Sequence, residues 1–238
     1  MTAQPFKTIL RDLLQQGHHD EEAFLQGLSE SERTAIGEPE HWSAKDHVAH
    51  MTFWHQHLVL KLTAALQHQE LSTDDESVEQ SNSLVFEKHQ QRPWSEIRAE
   101  SERVYAELIR LMEQLSEEDL TTPDRFASIS GERPLYAAFL GNCYEHDQEH
   151  LVQYYSDRHD LPLAIQIREN CANRIIQNEA WPAWVKGSFL YNLACFYAQL
   201  NQLEKANALL QEALTCNPRL KEKALNDSEL VALHGQSA

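Results

Sequence analysis

The fold prediction starts from two stretches, WSAKDHVAHMTFWHQH at residues 42–57 and YEHDQEHLVQYY at residues 144–155. The first stretch contributes His50, and the second contributes His146 and His150, which are four residues apart. In a helix, residues at that spacing lie one above the other on the same face, so two imidazoles can reach one ion. The two stretches therefore predict two helices that could bring three imidazoles to one divalent metal.

The first stretch also has the signals of a helix start. Ser43 is a favoured N-cap residue, and Asp46 three residues later can complete a capping box. A long helix is therefore predicted over residues 44–67. Towards the N-terminus, apolar residues at helical spacing predict a first helix that begins near Pro5 and a second, short helix that begins near Asp20.

The chain between the two stretches alternates between helix signals and breaks. Residues 68–83 are polar and acidic, which predicts a loop that merges into a helix over about residues 78–90. After Pro93, apolar residues at helical spacing predict another long helix. Residues 126–132 are predicted to form a short extended crossing, and helix is expected again over residues 134–157.

The last third of the chain has a different pattern. A pair of helices is predicted between residues 163 and 217, and the residues before Pro218 resemble the tetratricopeptide repeat pattern. The matching positions are Leu193, Ala194, Tyr197, Ala206, Leu210 and Ala213. The resemblance implies one repeat at residues 187–220, which would pack against the preceding helix and against a closing helix at residues 220–233.

Length and composition are those of a packed helical protein. The chain has 238 residues, of which 42% are hydrophobic and 24% are charged, with only 7 Gly. This composition supplies a real core and is not typical of disorder. The sequence therefore predicts an all-α protein, with a four-helix bundle at residues 1–158 and a short helical module at residues 159–238.

Charge and cysteine content exclude several classes of function. A formal net charge of −17 opposes binding to nucleic acid or to an anionic membrane, because both need clustered Lys and Arg. The four cysteines show no CxxC spacing, which favours a reducing compartment. No apolar stretch approaches the ~20 residues that span a bilayer. A cytoplasmic protein with no nucleic-acid and no membrane partner is expected.

The histidine spacing alone does not identify a site. With 13 His among 238 residues, about 0.7 pairs at the HxxxH spacing are expected by chance, so the pair is weak as a motif. The alternative to metal binding is that such histidines simply lie on the protein surface. Further support has to come from the surrounding residues.

That support is a resemblance in the first stretch. The pattern W-S-x-K-D-x-x-A-H-x-x-x-W is similar to the second helix of DinB-like four-helix bundles, in particular their DfsB branch. It is formed by Trp42, Ser43, Lys45, Asp46, Ala49, His50 and Trp54. The resemblance covers about residues 1–157. It implies that His50, His146 and His150 bind a divalent metal, Zn or Ni, with coordination left open for water or substrate.

Neighbouring residues are interpreted separately. His47, His55 and His57 are interpreted as solvated or core-edge histidines, with an outer-shell donor or a substitute ligand as the alternative for one of them. Cys143 is interpreted as a small core residue rather than a metal neighbour. Glu149 is our choice among the nearby carboxylates for a residue that orients an imidazole or accepts a proton.

The sequence leaves three classes of function open. The resemblance implies a metal-dependent enzyme acting on a small molecule, either a hydrolase or a thiol S-transferase of the detoxification or resistance kind. A non-catalytic protein that sequesters a small molecule is the first alternative. A protein-protein interaction module that uses the tetratricopeptide-like repeat is the second. The resemblance also makes a homodimer an expectation.

Overall fold

The computed structural model describes residues 4–69 and 78–234. Regular structure in these two ranges is helical, with no strand beyond an isolated bridge between Glu38 and His41. The all-α prediction is therefore confirmed. Within the same ranges, no helix combines the length and the apolar character needed to cross a membrane. The chain divides into two compact units, Met1–Ala164 and Ile165–Ala238.

The helices are numbered in chain order. They are α1 (Phe6–Gly27), α2 (Glu30–Thr34), α3 (Ala44–Leu66), α4 (Val78–His89), α5 (Trp94–Gln114), α6 (Glu117–Thr121), α7 (Ala127–Ser130), α8 (Tyr136–Leu140), α9 (His146–Asp157), α10 (Leu161–Ile176), α11 (Ala183–Gln199), α12 (Leu203–Cys216), α13 (Leu220–Asn226) and α14 (Val231–His234). A π-helical turn, Gly141–Glu145, joins α8 to α9 without interrupting the helical path.

The N-terminal helix differs from the prediction. Two helices were expected from the sequence before residue 30, whereas α1 is one continuous helix. Gly17 lies in its middle and is buried, and a Cβ at this position would come within 2.9 Å of Cδ2 of Tyr144. The absence of a side chain at Gly17 therefore lets α1 pack closely against the π turn, and Gly17 does not end the helix.

The start of α3 agrees with the prediction. Ser43 is the N-cap, its backbone N–H donates to Oδ2 of Asp46 at 2.9 Å, and its hydroxyl accepts from the Asp46 N–H at 3.3 Å. The capping box is confirmed. Gly37 packs directly against it, because a Cβ on Gly37 would collide with the Asp46 carboxylate. This buried cap fixes the residue at which α3 begins, and with it the face that carries His50.

Of two further segments predicted between α3 and α8, the structure confirms one and contradicts the other. The helix predicted over residues 78–90 is confirmed as α4, while residues 70–77 of the predicted loop lie outside the described residues. The extended crossing predicted at residues 126–132 is wrong, because this segment closes one helical turn, α7. The Ser130 N–H donates to the Phe126 carbonyl at 3.0 Å, which satisfies the backbone locally without a partner strand.

The core of the first unit lies between α1, α3, α5 and the helix made of α8, the π turn and α9. Helix α3 packs against both α5 and α9, and α1 packs against α9 and the π turn. Fully buried apolar side chains come from each of these helices, including Leu10, Leu62, Leu108, Phe139 and Leu151. The bundle thus places α3 and α9 side by side.

The second unit is built around α11 and α12, which pack on each other. Ala194, Ala206 and Ala213 are fully buried, and Gly187 allows a close approach, since a Cβ there would lie 2.6 Å from Cβ of Asn217. The single closing helix predicted at residues 220–233 is wrong. The segment contains α13, a 3-10 turn and α14, because the Asp227 carboxylate accepts from the Glu229 N–H and starts a new turn.

Candidate metal centre

The three predicted histidines lie together in the first unit. His50 projects from α3, and His146 and His150 project from α9. Nε2 of His146 is 3.1 Å from Nε2 of His50 and 3.1 Å from Nε2 of His150. Each side chain offers one ligand atom, and these atoms all lie within 4.8 Å of one another. We call these three residues the histidine cluster.

The π turn sets the direction of the α9 ligands. In a π turn the hydrogen bond spans five residues, as it does here from the His146 N–H to the Gly141 carbonyl. The wider turn adds a residue relative to an α-helical path, so it rotates every later side chain about the helix axis. Such turns inside α-helices occur often at functional sites. In this protein, His146 is the first residue after the π turn.

The cluster is neutral at physiological pH. Burial is the largest cause, because it disfavours the charged imidazolium. It lowers the pKa of His50 to about 3, with the charges of His146, His47 and His55 as further causes. Burial also lowers the pKa of His146 and of His150. Neutral imidazoles are the form that binds a metal, so no proton has to leave before coordination.

The spacing of the nitrogens fits a cation better than it fits protons. In a neutral imidazole, each ring nitrogen either donates one hydrogen or accepts through one lone pair. Nε2 of His146 therefore cannot form good hydrogen bonds to both of the neighbouring nitrogens that lie 3.1 Å away. Three nitrogens bound at ~2.0–2.1 Å to one ion in tetrahedral or octahedral directions are separated by ~2.9–3.4 Å. Both contacts of His146 Nε2, at 3.1 Å, fall in that interval. Imidazole donors suit Zn and Ni, among other divalent ions.

An aromatic wall lies beside the cluster. The Trp42 ring is stacked on His150, with ring centroids 5.8 Å apart and planes 6° apart, and its centroid is 5.0 Å from that of His50. Phe86 of α4 stacks with Trp42 at a centroid distance of 6.3 Å, and Trp54 lies edge-on to His50 at 6.2 Å. His146 keeps a side-chain exposure of 25%. The cluster therefore has an apolar side and a side that solvent reaches.

The family model of the DinB superfamily matches residues 13–154. The chain belongs to the DinB superfamily. The matched range begins in α1, ends in α9 and contains all three cluster histidines. No curated protein and no solved structure in the comparisons matches the chain significantly.

In this DinB superfamily member, a buried ion pair lies next to the cluster. Nε2 of His55 on α3 is 2.9 Å from Oδ1 of Asp147 on α9, and both side chains are almost completely buried. Burial opposes the charged form, but the Asp147 charge and hydrogen bond outweigh it and raise the pKa of His55. The interpretation of His55 as a solvated or core-edge residue is wrong. The pair instead ties the two ligand-bearing helices together.

A fourth histidine also touches the cluster. His47 is completely buried, and its Nδ1 lies 3.0 Å from Nδ1 of His150. Its interpretation as a solvated or core-edge residue is wrong as well. The sequence did contain a signal, because His47 precedes His50 by three residues and therefore shares its helix face. His57 is half-buried between Phe53 and Trp54, outside the cluster.

The remaining predicted residues have these positions. Cys143 is buried in the π turn, and burial raises its pKa well above the usual value, so the interpretation as a core residue is confirmed. Glu149 is exposed, one residue before His150. Oδ1 of Asp147 lies 3.9 Å from Nδ1 of His146. A role for Glu149 stays a prediction.

Proposed function

We propose that this DinB superfamily member is a divalent-metal-dependent enzyme that acts on a small molecule, by hydrolysis or by thiol S-transfer. The observation that carries the proposal is the approach of three neutral Nε2 atoms from α3 and α9. Three protein ligands are typical of catalytic sites, because they leave coordination positions open, whereas structural sites are closed by four. The helical fold of the superfamily is a metal-binding one, which supports the same conclusion.

The side chains of the site have distinct roles in this proposal. His50, His146 and His150 hold the ion, which is Zn or Ni. When bound, the ion supplies Lewis acidity and lowers the pKa of a water or thiol. Trp42 covers one side of the imidazoles and excludes water there. Glu149, which is exposed and adjacent to His150, accepts a proton or orients an imidazole.

The cysteine beside the site supports a particular form of S-transfer. Cys143 is buried and the pKa of its thiol is raised well above the usual value, so it stays protonated and is a poor nucleophile. A thiol S-transferase built on this site would therefore use a diffusible thiol, and the substrate would be a reactive electrophile. Removal of such electrophiles is the detoxification role that we propose.

The finer classification is also a proposal. Membership of the DfsB branch is supported by the seven-residue pattern around His50. A tetratricopeptide-like module is supported by the packing of α11 on α12 through buried alanines. We also propose that this module binds a protein partner, that the protein forms a homodimer and that it is located in the cytoplasm.

Metal analysis tests the enzyme proposal. The untagged wild-type protein is expected to contain or take up about one divalent ion per chain, and its melting temperature is expected to rise with Zn²⁺ or Ni²⁺. His146→Ala is expected to lose both effects. The exposed His41 provides the matched control, and His41→Ala should behave as the wild type does. Absence of metal uptake by the wild type would refute the proposal and leave the C-terminal module as the candidate for function.

An activity panel separates catalysis from sequestration. The metal-loaded protein is incubated with small electrophiles in the presence and absence of a low-molecular-weight thiol, and substrate loss is measured over many turnovers. An enzyme consumes substrate in large excess over protein. A sequestering protein stops at about one equivalent, and that result would replace the enzyme proposal by the first alternative.

A further inference from the structure

His150 is held at both ends of its imidazole ring. Its Nε2 faces the cluster and lies 3.1 Å from Nε2 of His146. Its Nδ1 points to the opposite side and lies 3.0 Å from Nδ1 of His47. Two ring nitrogens at that distance share one hydrogen, so one of them donates and the other accepts. The ligand role of His150 decides which one does so.

The tautomer follows from the geometry of the cluster. An imidazole that binds a metal through Nε2 carries its remaining hydrogen on Nδ1. We propose that His47 is a positioning residue, whose Nδ1 accepts this hydrogen bond and keeps the lone pair of His150 Nε2 directed at the metal. This inference rests on the proposed function. In metal sites, the hydrogen-bond partner of a ligating histidine fixes both its tautomer and its ring orientation.

A role for His47 as a fourth ligand does not fit the same atoms. The nitrogen that His47 directs towards His150 meets the ring edge that faces away from the cluster. The other nitrogen of His47, Nε2, is buried and has no hydrogen-bond partner among the described residues. The group of ligand atoms that lie within 4.8 Å of one another contains His50, His146 and His150 without His47.

The surroundings of His47 suit a fixed acceptor. Its ring is packed edge-on against Trp42, at a centroid distance of 5.4 Å, and against Tyr154, at 5.9 Å. The Tyr154 hydroxyl donates to Glu32 at 3.0 Å, and the Arg158 guanidinium lies over the Tyr154 ring at 3.4 Å. The Tyr154 ring that packs against His47 is therefore held in place by its hydrogen bond to Glu32 and by its cation–π contact with Arg158.

His150 is the cluster member that depends on this contact. Nδ1 of His50 and Nδ1 of His146 are buried and have no hydrogen-bond partner within residues 4–69 and 78–234. Among the three imidazoles, the described residues thus give only His150 a hydrogen-bonded Nδ1. Removal of the acceptor should release one ligand of three, and it should leave the positions of the other two unchanged.

The first test compares zinc affinities measured by competition with a chromophoric chelator. His47→Leu removes the acceptor, whereas His47→Asn places an amide oxygen where Nδ1 was. Loss of such an outer-shell partner typically weakens metal binding about 10–100-fold, and we expect a loss in this range for His47→Leu. We expect His47→Asn to recover most of that loss. Thr52→Val is the control, because Thr52 is buried on the same helix and its hydroxyl donates to the Val48 carbonyl within α3.

The outcomes are distinguishable. If the wild-type protein binds neither zinc nor nickel, the proposed function fails, and the positioning role fails with it. If the wild type binds zinc and His47→Leu binds it equally well, only the positioning role is overturned. Equal weakening in His47→Leu and His47→Asn also overturns it, because the acceptor atom would then not matter.

A second test needs no variant and covers the case in which His47→Leu does not fold. The imidazole ¹⁵N spectrum of the zinc-loaded wild-type protein reports which ring nitrogen carries hydrogen. We expect the hydrogen of His150 on Nδ1 and that of His47 on Nε2. A hydrogen on Nδ1 of His47 would mean that His47 cannot accept from His150, and it would overturn the inference.

Discussion

The His55–Asp147 pair allows the sharpest test of how the bundle holds the site. The pair joins α3 to α9 at 2.9 Å, and the two side chains are only 5% and 6% exposed. A hydrogen bond to a charged group contributes about 1.5–3 kcal/mol to stability, and the low exposure means that little of this is lost to solvent screening. We therefore expect a coupling energy of ~2 kcal/mol between His55 and Asp147 at pH 6.

The coupling should depend on pH in one direction. Because the folded-state pKa of His55 is raised above the unfolded value, its contribution is fully present below pH ~6.5. It is lost as the pH rises through the folded pKa, since the neutral imidazole retains a hydrogen bond but not the ion pair. The coupling energy at pH 9 should therefore be smaller than at pH 6 while remaining favourable.

A double-mutant cycle in urea measures this energy. The wild type, His55→Ala, Asp147→Ala and the double variant are unfolded at pH 6 and pH 9, and the metal is removed from all four proteins. The cycle cancels effects that each single variant has on its own, including cavities and the titration of other histidines. The matched control is Arg98–Glu22, an ion pair at 2.6 Å between α5 and α1.

The control pair differs in exposure rather than in distance. Arg98 and Glu22 are 23% and 24% exposed, so solvent screening should reduce their coupling to ~0.2–1 kcal/mol with no change between pH 6 and pH 9. A coupling for His55–Asp147 that is no larger than that of the control would refute the reasoning. An increase of the coupling from pH 6 to pH 9 would refute the assigned charge states.

Three further predictions concern other parts of the chain. Ser43→Ala removes the N-cap of α3 and should lower the free energy of unfolding by ~1 kcal/mol, measured in urea. The folded pKa values of His47 and His50 are about 3, so each histidine contributes stability to the metal-free protein that is fully present above pH ~6.5. This contribution should fall as the pH drops towards 3, by up to ~1.4 kcal/mol per pH unit for each histidine. Gly187→Ala should destabilise the second unit by ~1–3 kcal/mol, because its Cβ would overlap Asn217.

Each of these predictions has a control within the chain. Ser116 is exposed and caps α6 with the same capping box, so Ser116→Ala should cost less than Ser43→Ala. Equal losses would argue against the importance of the buried cap. Gly27→Ala adds a Cβ with no atom within 4 Å, so its effect should be small. If His50→Ala leaves the acid slope of stability unchanged, the assignment of that slope to buried neutral histidines is contradicted.

Local sequence signals predicted much of the fold because they act locally. Ser43 and Asp46 are three residues apart and form their capping box within one turn, so the start of α3 could be predicted from the sequence. The continuity of α1 through Gly17 could not, because it depends on packing against Tyr144 from a distant part of the chain. The π turn was missed for a similar reason. Its residues have no composition that distinguishes them from an α-helix.

The site was predictable only in part. The HxxxH spacing of His146 and His150 gave one pair, and the choice of His50 as their partner came from the resemblance in the first stretch. The contacts that surround the cluster join residues far apart in sequence, 103 positions for His47 and His150 and 92 for His55 and Asp147. No periodicity within one helix reports such pairs. The net charge, in contrast, predicted only which classes of binding partner to exclude.

X-ray absorption at the zinc edge of the zinc-loaded protein tests the central claim most directly. The account predicts about one zinc per chain, with nitrogen scatterers at ~2.0–2.1 Å and the outer-shell scattering of three imidazoles. In His146→Ala, the imidazole count should fall to two or the zinc should be lost. A wild-type spectrum dominated by oxygen ligands without imidazole scattering would contradict the claim that His50, His146 and His150 form a metal site.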